Sequence, residues 1–577
     1  MINIPLGDQF AFRASGFYRD IGGYVDAPDR GARNVNSTES YGVRGSLLWQ
    51  PNQDLSIRLL GLLQRINTDS ASSFIADPRT FDPVDAITGV LVGEANRERY
   101  ERIADFNRLD YRLYSGTIEY DFGFAALTSV TSYSEQTRDE FNDTSTNAAR
   151  GTAQAVYGAA GLVGLAFEND VEVEKFTQEV RLRSPDSDRF EWLIGGYYTD
   201  ESTALIQEFF PFVLATQALI PTAGTFGPFT FTRFVFANID ASYEEIAVFG
   251  SATIKFGERF EITAGGRYSN NDQTSVQQVV QLGNGAPQPG ASSESVFTWS
   301  VAPRFEISDN VAVYGRVAKG YRPGGPNFIP LGAPAGFPAE FFSDSMISYE
   351  LGVRGQTPDR TVAVDASVYY VDWDDILILT TAQSAAGPVG VNSNGGRARS
   401  LGAEFAVTVR PTRGLTFVAS GAYVDAELRD DTLPPTPGAI NLTGGLAGDQ
   451  LPFTPSFTGN LSVDYEWTLV ENAEAYIGAN VRYVGEQVGG FSTAYRAAFG
   501  RRIEIDGYET VDLRAGVDFG RFTISAYVRN LFDAYGIVSA GYGPFVVPAA
   551  IGGAGVPLAS VSTIRPRTVG INAGVRF

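Results

Sequence analysis

The stretch "RTVGINAGVRF", residues 567–577, decides the fold because its side chains alternate strictly and it ends on an aromatic residue. Val569, Ile571, Ala573, Val575 and Phe577 are apolar, and the residues between them are small, polar or charged. Alternation with a period of two predicts a β-strand with one apolar face and one polar face. We therefore expect the last residues to form a strand rather than a polar tail.

The same alternation recurs along the whole chain. It is clear in "TVDLRAGVDF" (510–519), "SFTGNLSVDYEW" (456–467) and "ISYELGVRG" (347–355). Counting such segments predicts about 20 strands of about 10–15 residues, a length that crosses a bilayer at a tilt.

The predicted connections alternate between short and long. The short ones carry turn residues, as in "PNQD" (51–54), "TRG" (412–414) and "GR" (520–521). The long ones are expected at 26–37, 67–108, 137–172, 204–239, 271–293, 323–342, 380–394, 428–451, 487–505 and 533–565. This pattern predicts an all-β fold, a transmembrane antiparallel β-barrel of about 20 strands with short periplasmic turns and long extracellular loops. A soluble β-sandwich or propeller array is the alternative.

Composition excludes several classes of function. The chain of 577 residues has 66 acidic and 44 basic side chains, a net charge of −22, and neither histidine nor cysteine. Such a surface repels nucleic acid, and the absence of histidine removes Ser–His catalysis. We predict no enzyme activity, no cofactor and no resident metal. There is no apolar run of about 18 residues, so a membrane-spanning form has to be a closed barrel.

Several motifs together resemble the TonB-dependent outer-membrane receptor family. They are "VAKGYRPGGPN" (317–327), "VYYVDWDDILI" (368–378), "NGGRARSLGAEF" (394–405), "NLFDAYG" (530–536) and the ending "RPRTVGINAGVRF" (565–577). The resemblance implies a 22-stranded barrel in the outer membrane of a Gram-negative bacterium. It also implies uptake of a scarce nutrient such as a ferric siderophore, a carbohydrate or another small organic ligand. Within the terminal strand, Val569, Ile571, Val575 and Phe577 would then be the signal read by the barrel-assembly machinery.

The start of the sequence departs from the family pattern. Residues 1–8 are expected to be the remnant of an early strand and its periplasmic turn, with the barrel at 9–577 and no plug domain or signal peptide. We therefore expect an N-terminal truncation that removes the first strands, or else a plugless barrel or a decayed gene. Residues 1–4 are expected to be a loose tail. The last strand then either pairs with the strand beginning near Gln9 or leaves an open seam.

Two segments provide candidate ligand contacts. The predicted loop 204–240 is rich in phenylalanine and nearly free of charge, which favours a binding surface for an apolar ligand or, alternatively, packing between loops. Its candidate contacts are Phe209, Phe210, Phe212, Phe229 and Phe231. "KGYRPGGPN" adds Tyr321, Arg322 and Asn327 at the mouth, unless this segment is only a strand-end irregularity.

Carboxylate clusters near Asp139, Asp372 and Asp430 have no defined calcium-loop spacing, so they predict solvated loops rather than metal sites. The predicted partners are outer-membrane lipid, the barrel-assembly machinery and a small-molecule ligand. TonB would be a partner only if a plug is supplied. The predicted function is an uptake receptor, and the alternatives are a passive diffusion pore and a soluble carbohydrate-binding β protein.

Overall fold

The computed structural model describes residues 1–85, 97–145, 149–226, 229–281, 286–329, 337–384, 387–432, 444–546 and 557–576. Within them, a single sheet of 21 strands dominates, and each strand pairs antiparallel with the next one along the chain. The prediction of an antiparallel all-β fold with about 20 strands is confirmed. None of the helices in these ranges is long and apolar enough to cross a membrane.

The strands of the large sheet are numbered in chain order. They are β1 Ile2–Pro5, β2 Phe10–Ile21, β3 Thr38–Trp49, β4 Leu55–Thr68, β5 Phe106–Asp121, β6 Ala126–Asp143, β7 Val163–Arg183, β8 Phe190–Val213, β9 Val235–Phe256, β10 Phe260–Gln281, β11 Gln288–Ser308, β12 Val311–Arg322, β13 Asp344–Gln356, β14 Val362–Asp374, β15 Ala398–Thr412, β16 Leu415–Leu428, β17 Phe457–Val470, β18 Ala473–Val484, β19 Tyr508–Asp518, β20 Phe522–Arg529 and β21 Thr568–Val575.

Smaller elements occupy the long connections. The helices are α1 Ala149–Tyr157 and α2 Thr493–Phe499, with short 3₁₀ turns at Pro28–Arg30 and Gly158–Ala160. Short strands are Ser73–Ala76, Gly224–Phe226, Phe229–Phe231, Gly325–Pro326, Glu340–Phe341, Leu377–Ser384, Gly387–Asn394, Gln487–Val488, Glu504–Ile505, Ile537–Val546 and Pro557–Thr563.

Several strands are longer than the sequence predicts. β8 has 24 residues and reaches Val213, so the predicted loop 204–239 is wrong at both ends. The predicted loop 380–394 is likewise largely a hairpin, in which Leu377 pairs with Asn394. Alternation identifies a strand only where one face meets lipid and the other meets water. Above the membrane both faces meet water or other loops, so pairing continues after the pattern has ended.

The periplasmic turns use the residues that tight turns require. Gly414 has φ +81° and Gly520 has φ +79°, which places both in the left-handed region that favours glycine. A Cβ atom at Gly414 would lie 2.0 Å from the carbonyl oxygen of Glu466, so this turn also needs the absence of a side chain.

The two edges of the sheet are β1 and β21. Ile2–Pro5 pairs with Ala11–Ala14, so the expectation of a loose tail is wrong for these residues. β21 pairs with β20, and in the described part of the chain no pairing joins it to β1 or β2. Phe577 lies outside the described residues.

The buried apolar cores lie among the outer loops and the outer ends of the strands. One core contains Phe74, Tyr495, Ile503 and Val561, contributed by three separate connections. Ser492 caps the helix that carries Tyr495, since its hydroxyl accepts a hydrogen bond from the Tyr495 amide at 3.1 Å. The sheet itself needs no such core, because its apolar face is turned outward.

Candidate functional site

One face of the sheet is apolar and the other is polar. Val43, Leu59, Val248 and Ile571 are more than half exposed on the apolar face. Their neighbours along each strand point to the opposite face, because side chains alternate across a strand. The polar face therefore carries the side chains that a solute inside the barrel would meet.

A cluster on the polar face joins β8, β9 and β10. It consists of Tyr197, Tyr243, Glu245 and Arg267 and is called the wall cluster below. The Arg267 guanidinium donates to Glu245 at 2.6 Å, and its Cζ lies 5.0 Å from the centre of the Tyr197 ring. The Tyr243 hydroxyl donates to the second oxygen of Glu245 at 2.9 Å. Hydrogen bonds and a cation–π contact thus fix both charged groups beside two aromatic rings.

Sequence reasoning missed the wall cluster. Its members come from three strands and span 70 positions, and only the register between strands brings them together, as with Tyr197 opposite Ala247. The available signal was the alternation itself, which places Tyr243, Glu245 and Arg267 on the polar face.

The segment 323–329 lies against the polar face of β10 and is called the strap. The Gln273 amide donates to the Gly324 carbonyl at 2.5 Å, and the Ile329 amide donates to Gln277 at 3.1 Å. Asn271, on the same row of β10, is 1 % exposed. The strap therefore covers a row of neutral hydrogen-bonding side chains.

The predicted contacts Arg322 and Asn327 have structural partners. Arg322 donates to the buried carboxylate of Asp344, with Nε 3.0 Å from Oδ2, and lies over the Trp373 ring. Asn327 exchanges hydrogen bonds with the backbone of Asn392, at 2.9 and 3.2 Å, which ties the strap to the hairpin 377–394. Tyr321 is the penultimate residue of β12 and lies opposite Ser345.

The phenylalanine candidates lie in a different cluster. Phe212 is fully buried, and Phe209 packs beneath α1, with its ring centre 4.8 Å from that of Phe167. Phe210 is half-buried on β8 opposite Ala166. The side chains of Phe229 and Phe231 lie outside the described residues. The pairing of β8 with its neighbouring strands does not place Phe209, Phe210 or Phe212 beside the strap.

Charged side chains connect the first outer loops. Arg99 contacts both Glu101 and Asp105, and Arg30 also contacts Glu101. Both carboxylates are buried, and burial raises the pKa of Asp105 to about 7. Burial likewise raises the pKa of Asp29 to about 6. These residues hold the first outer loops together through buried charges.

Three outer carboxylates lie close enough together to share a cation. Oxygens of Asp139, Glu168 and Asp170 lie within 4.8 Å of one another at the outer ends of β6 and β7. Arg108 approaches Asp139 at 3.6 Å, so part of the charge is already balanced. Asp430 is likewise paired with Arg397 at 2.9 Å.

Comparison with known proteins identifies the architecture. The family model described as TonB dependent receptor-like, β-barrel matches residues 49–531. The pesticin receptor of Yersinia enterocolitica is 28 % identical over 224 residues, which are 38 % of this chain and 30 % of that protein. The metal-pseudopaline receptor CntO of Pseudomonas aeruginosa is 24 % identical over 304 residues, which are 52 % of this chain and 38 % of that protein.

Solved structures share the fold. The ferric yersiniabactin uptake receptor FyuA of Yersinia pestis superposes with a TM-score of 0.76 at 19 % identity, covering 100 % of this chain and 77 % of that one. The ferric-catecholate import receptor Fiu of E. coli gives 0.73 at 16 % identity, covering 100 % and 79 %.

The chain spans well under half of the length of the curated relatives that it matches. The family consists of transport receptors in the outer membrane of Gram-negative bacteria. Since the family model matches most of the sequence and the sheet has the corresponding fold, the chain belongs to the TonB-dependent receptor family, of which it forms the β-barrel.

Proposed function

We propose that this chain is the barrel of an uptake receptor for a small metal-chelating molecule. The names of its relatives support this class, since they include a metal-pseudopaline receptor and a ferric yersiniabactin uptake receptor. The wall cluster is the observation that links this proposal to particular residues of the chain. It presents a fixed guanidinium, a carboxylate and two phenols on the face that a passing solute meets.

The chemistry of the wall cluster suits a metal chelate. Metal chelators offer oxygen-rich, planar groups, and these stack on aromatic rings and accept hydrogen bonds from arginine. Glu245 keeps the Arg267 guanidinium in place, so little side-chain freedom is lost when a ligand binds. Tyr197 supplies an aromatic face at the same position.

Binding to the folded chain in detergent tests the proposal. The probes are ferric citrate and the ferric complex of 2,3-dihydroxybenzoate, and the readout is quenching of the five tryptophans. Arg267→Gln removes a charge-assisted hydrogen bond, which is worth about 1.5–3 kcal/mol, so we expect affinity to fall roughly 10- to 100-fold. Arg304→Gln is the matched control, because Arg304 pairs with Glu261 at 3.2 Å on the same face. We expect no more than a twofold change there.

A passive diffusion pore is the competing function. If neither ferric probe binds and the reconstituted chain carries a large, stable open current, the uptake proposal fails and the pore is favoured. If a probe binds equally well to the wild-type chain and to Arg267→Gln, the receptor function stands but the wall cluster is not the site. Coupling to TonB and recognition by the barrel-assembly machinery stay predictions.

A further inference from the structure

Four arginines occupy the polar face of β2, β3 and β4 and form what is called the arginine stripe. They are Arg13, Arg19, Arg44 and Arg58. The register places Arg44 opposite Ser15, and Arg58 opposite Leu48, which is in turn opposite Ala11. The four side chains therefore stand level with residues 11, 13, 15 and 19 of β2. At about 3.3 Å per residue, the stripe extends over about 26 Å along β2.

The stripe faces the interior of the barrel. Val43 and Leu59, which directly neighbour Arg44 and Arg58, are 59 % and 54 % exposed on the apolar face. Alternation then sends Arg44 and Arg58 to the opposite face. All four guanidinium groups are in exposed residues, so a solute in the lumen can reach them.

The stripe lacks acidic partners in the part of the chain that the structure describes. None of the four arginines lies within 4 Å of a carboxylate there, and Arg13 donates instead to the side-chain oxygen of Asn3 at 2.6 Å. Glu119 is the nearest acid in register, opposite Ser56 and so diagonal to Arg58. Asp20 and Glu39 lie on the other face of the sheet.

Some arginines elsewhere on the polar face are paired, whereas Arg316, Arg482 and Arg529 resemble the stripe in having no carboxylate within 4 Å in the described ranges. Arg354 lies 2.7 Å from Asp365, and Arg514 lies 2.6 Å from Asp464. The protein has a net charge of −22, yet in the described residues no acidic side chain pairs with the arginines in this part of the inner wall. Clustered cations without counter-charges repel one another, and inside a channel they focus a positive potential.

We propose that the arginine stripe draws small anionic solutes bearing carboxylate groups through the lumen. This rests on the proposed uptake function, and it names the charge class of the solute. Guanidinium groups bind carboxylates through two parallel hydrogen bonds. Arginines spread over the height of the wall give a solute successive contacts.

Ion selectivity of the chain in a planar bilayer tests the proposal. Under a potassium chloride gradient, we expect the wild-type reversal potential to favour chloride and added citrate to reduce the chloride current. In Arg13→Gln/Arg19→Gln/Arg44→Gln/Arg58→Gln, we expect the chloride-to-potassium permeability ratio to fall at least threefold. The effect should shrink as salt rises from 0.1 to 1 M, because screening shortens the reach of the field.

The matched control is Asp464→Asn/Arg514→Gln, which removes a lumen arginine together with its partner and keeps the net charge. We expect its selectivity to equal that of the wild type. If the chain gives no current, citrate binding is measured by calorimetry on the folded protein in detergent. There the quadruple variant should bind at least tenfold more weakly than the control.

The outcomes separate this proposal from the uptake function. Equal selectivity and equal citrate binding in the wild type and the quadruple variant would overturn it, even if the ferric probes still bind. Binding of an acidic peptide without binding of citrate would also overturn it, since the stripe would then be a protein-docking surface. Chloride selectivity that depends on the stripe supports it, even in a chain that binds neither ferric probe.

Discussion

Replacing Asp344 with asparagine should open the mouth of the barrel locally. The Asp344 side chain is fully buried, and its oxygens accept hydrogen bonds from the Arg322 side chain, from Trp373 Nε1 at 3.0 Å and from the Leu377 amide at 3.3 Å. Asparagine has nearly the same shape, but it lacks the charge and turns one acceptor into a donor. Trp373 and Leu377 both donate to Oδ2, and the Arg322 amide donates to Oδ1 at 3.1 Å, so an amide nitrogen in place of either oxygen faces an N–H donor.

The free-energy cost of the substitution follows from how deeply the Asp344 and Arg322 side chains are buried. Breaking a buried ion pair by removing one partner costs about 3–5 kcal/mol. The Arg322 side chain is 48 % exposed and can turn to water, so we take the lower end, about 3 kcal/mol. A cost of that size raises the population of the locally open state roughly 100-fold.

Hydrogen exchange at the Leu377 amide is the appropriate assay, because the expected opening is local. Asp365→Asn is the control, since Asp365 and its partner Arg354 have side chains that are 42 % and 71 % exposed. Loss of an exposed pair costs below about 1 kcal/mol. If Asp344→Asn changes exchange at Leu377 by less than fivefold, burial does not determine the strength of this pair and the reasoning is refuted.

Three further predictions concern other parts of the barrel. Because burial raises the pKa of Asp29 above that of the unfolded chain, protonation favours the packed loops. Resistance to limited proteolysis near Arg99 should therefore fall as pH rises from 4 to 7, with a smaller change in Asp29→Asn. Gly164→Ala would place a Cβ 2.3 Å from the Phe212 ring and should cost about 1–3 kcal/mol in urea unfolding, unlike Gly196→Ala, whose nearest neighbour is at 3.9 Å. Ile571→Lys on the lipid face should cost up to about 2–4 kcal/mol for folding into vesicles, whereas Asn572→Lys, on the other face, should fold normally.

The sequence predicts the sheet well because the bilayer imposes alternation on it. In β21, Val569 and Ile571 are 70 % and 77 % exposed, as an apolar lipid-facing row requires, and Asn572 reaches across to Ser525 on the polar face. The same alternation determines the register. Each strand pairs with its neighbour in sequence, and a slip by one residue would turn the apolar side chains of that strand to the polar face.

The outer strand ends and the candidate site are less predictable for a physical reason. Phe209 and Phe212 sit in a strand whose two faces are both covered, so no alternation marks it. The assignment of Arg322 and Asn327 as ligand contacts stays a prediction, and their observed partners within the chain, Asp344 and Asn392, are distant in sequence. A pattern within one segment carries no information about which distant backbone group meets a side chain.

The two sides of the barrel mouth are fastened by different kinds of bond. Asn327 and Asn394 tie the strap and its neighbouring segment to the hairpin through neutral amides, with Asn394 joined to the Phe342 backbone at 2.8 and 2.9 Å. The loops around Glu101 are held by charges. Dissolved salt screens buried ion pairs only weakly and barely affects amide hydrogen bonds, so a change from fresh water to brine leaves both sides of the opening in place. Acid acts on one side alone, because burial raises the pKa of Asp29 to about 6 and that of Asp105 to about 7, whereas amide side chains do not titrate.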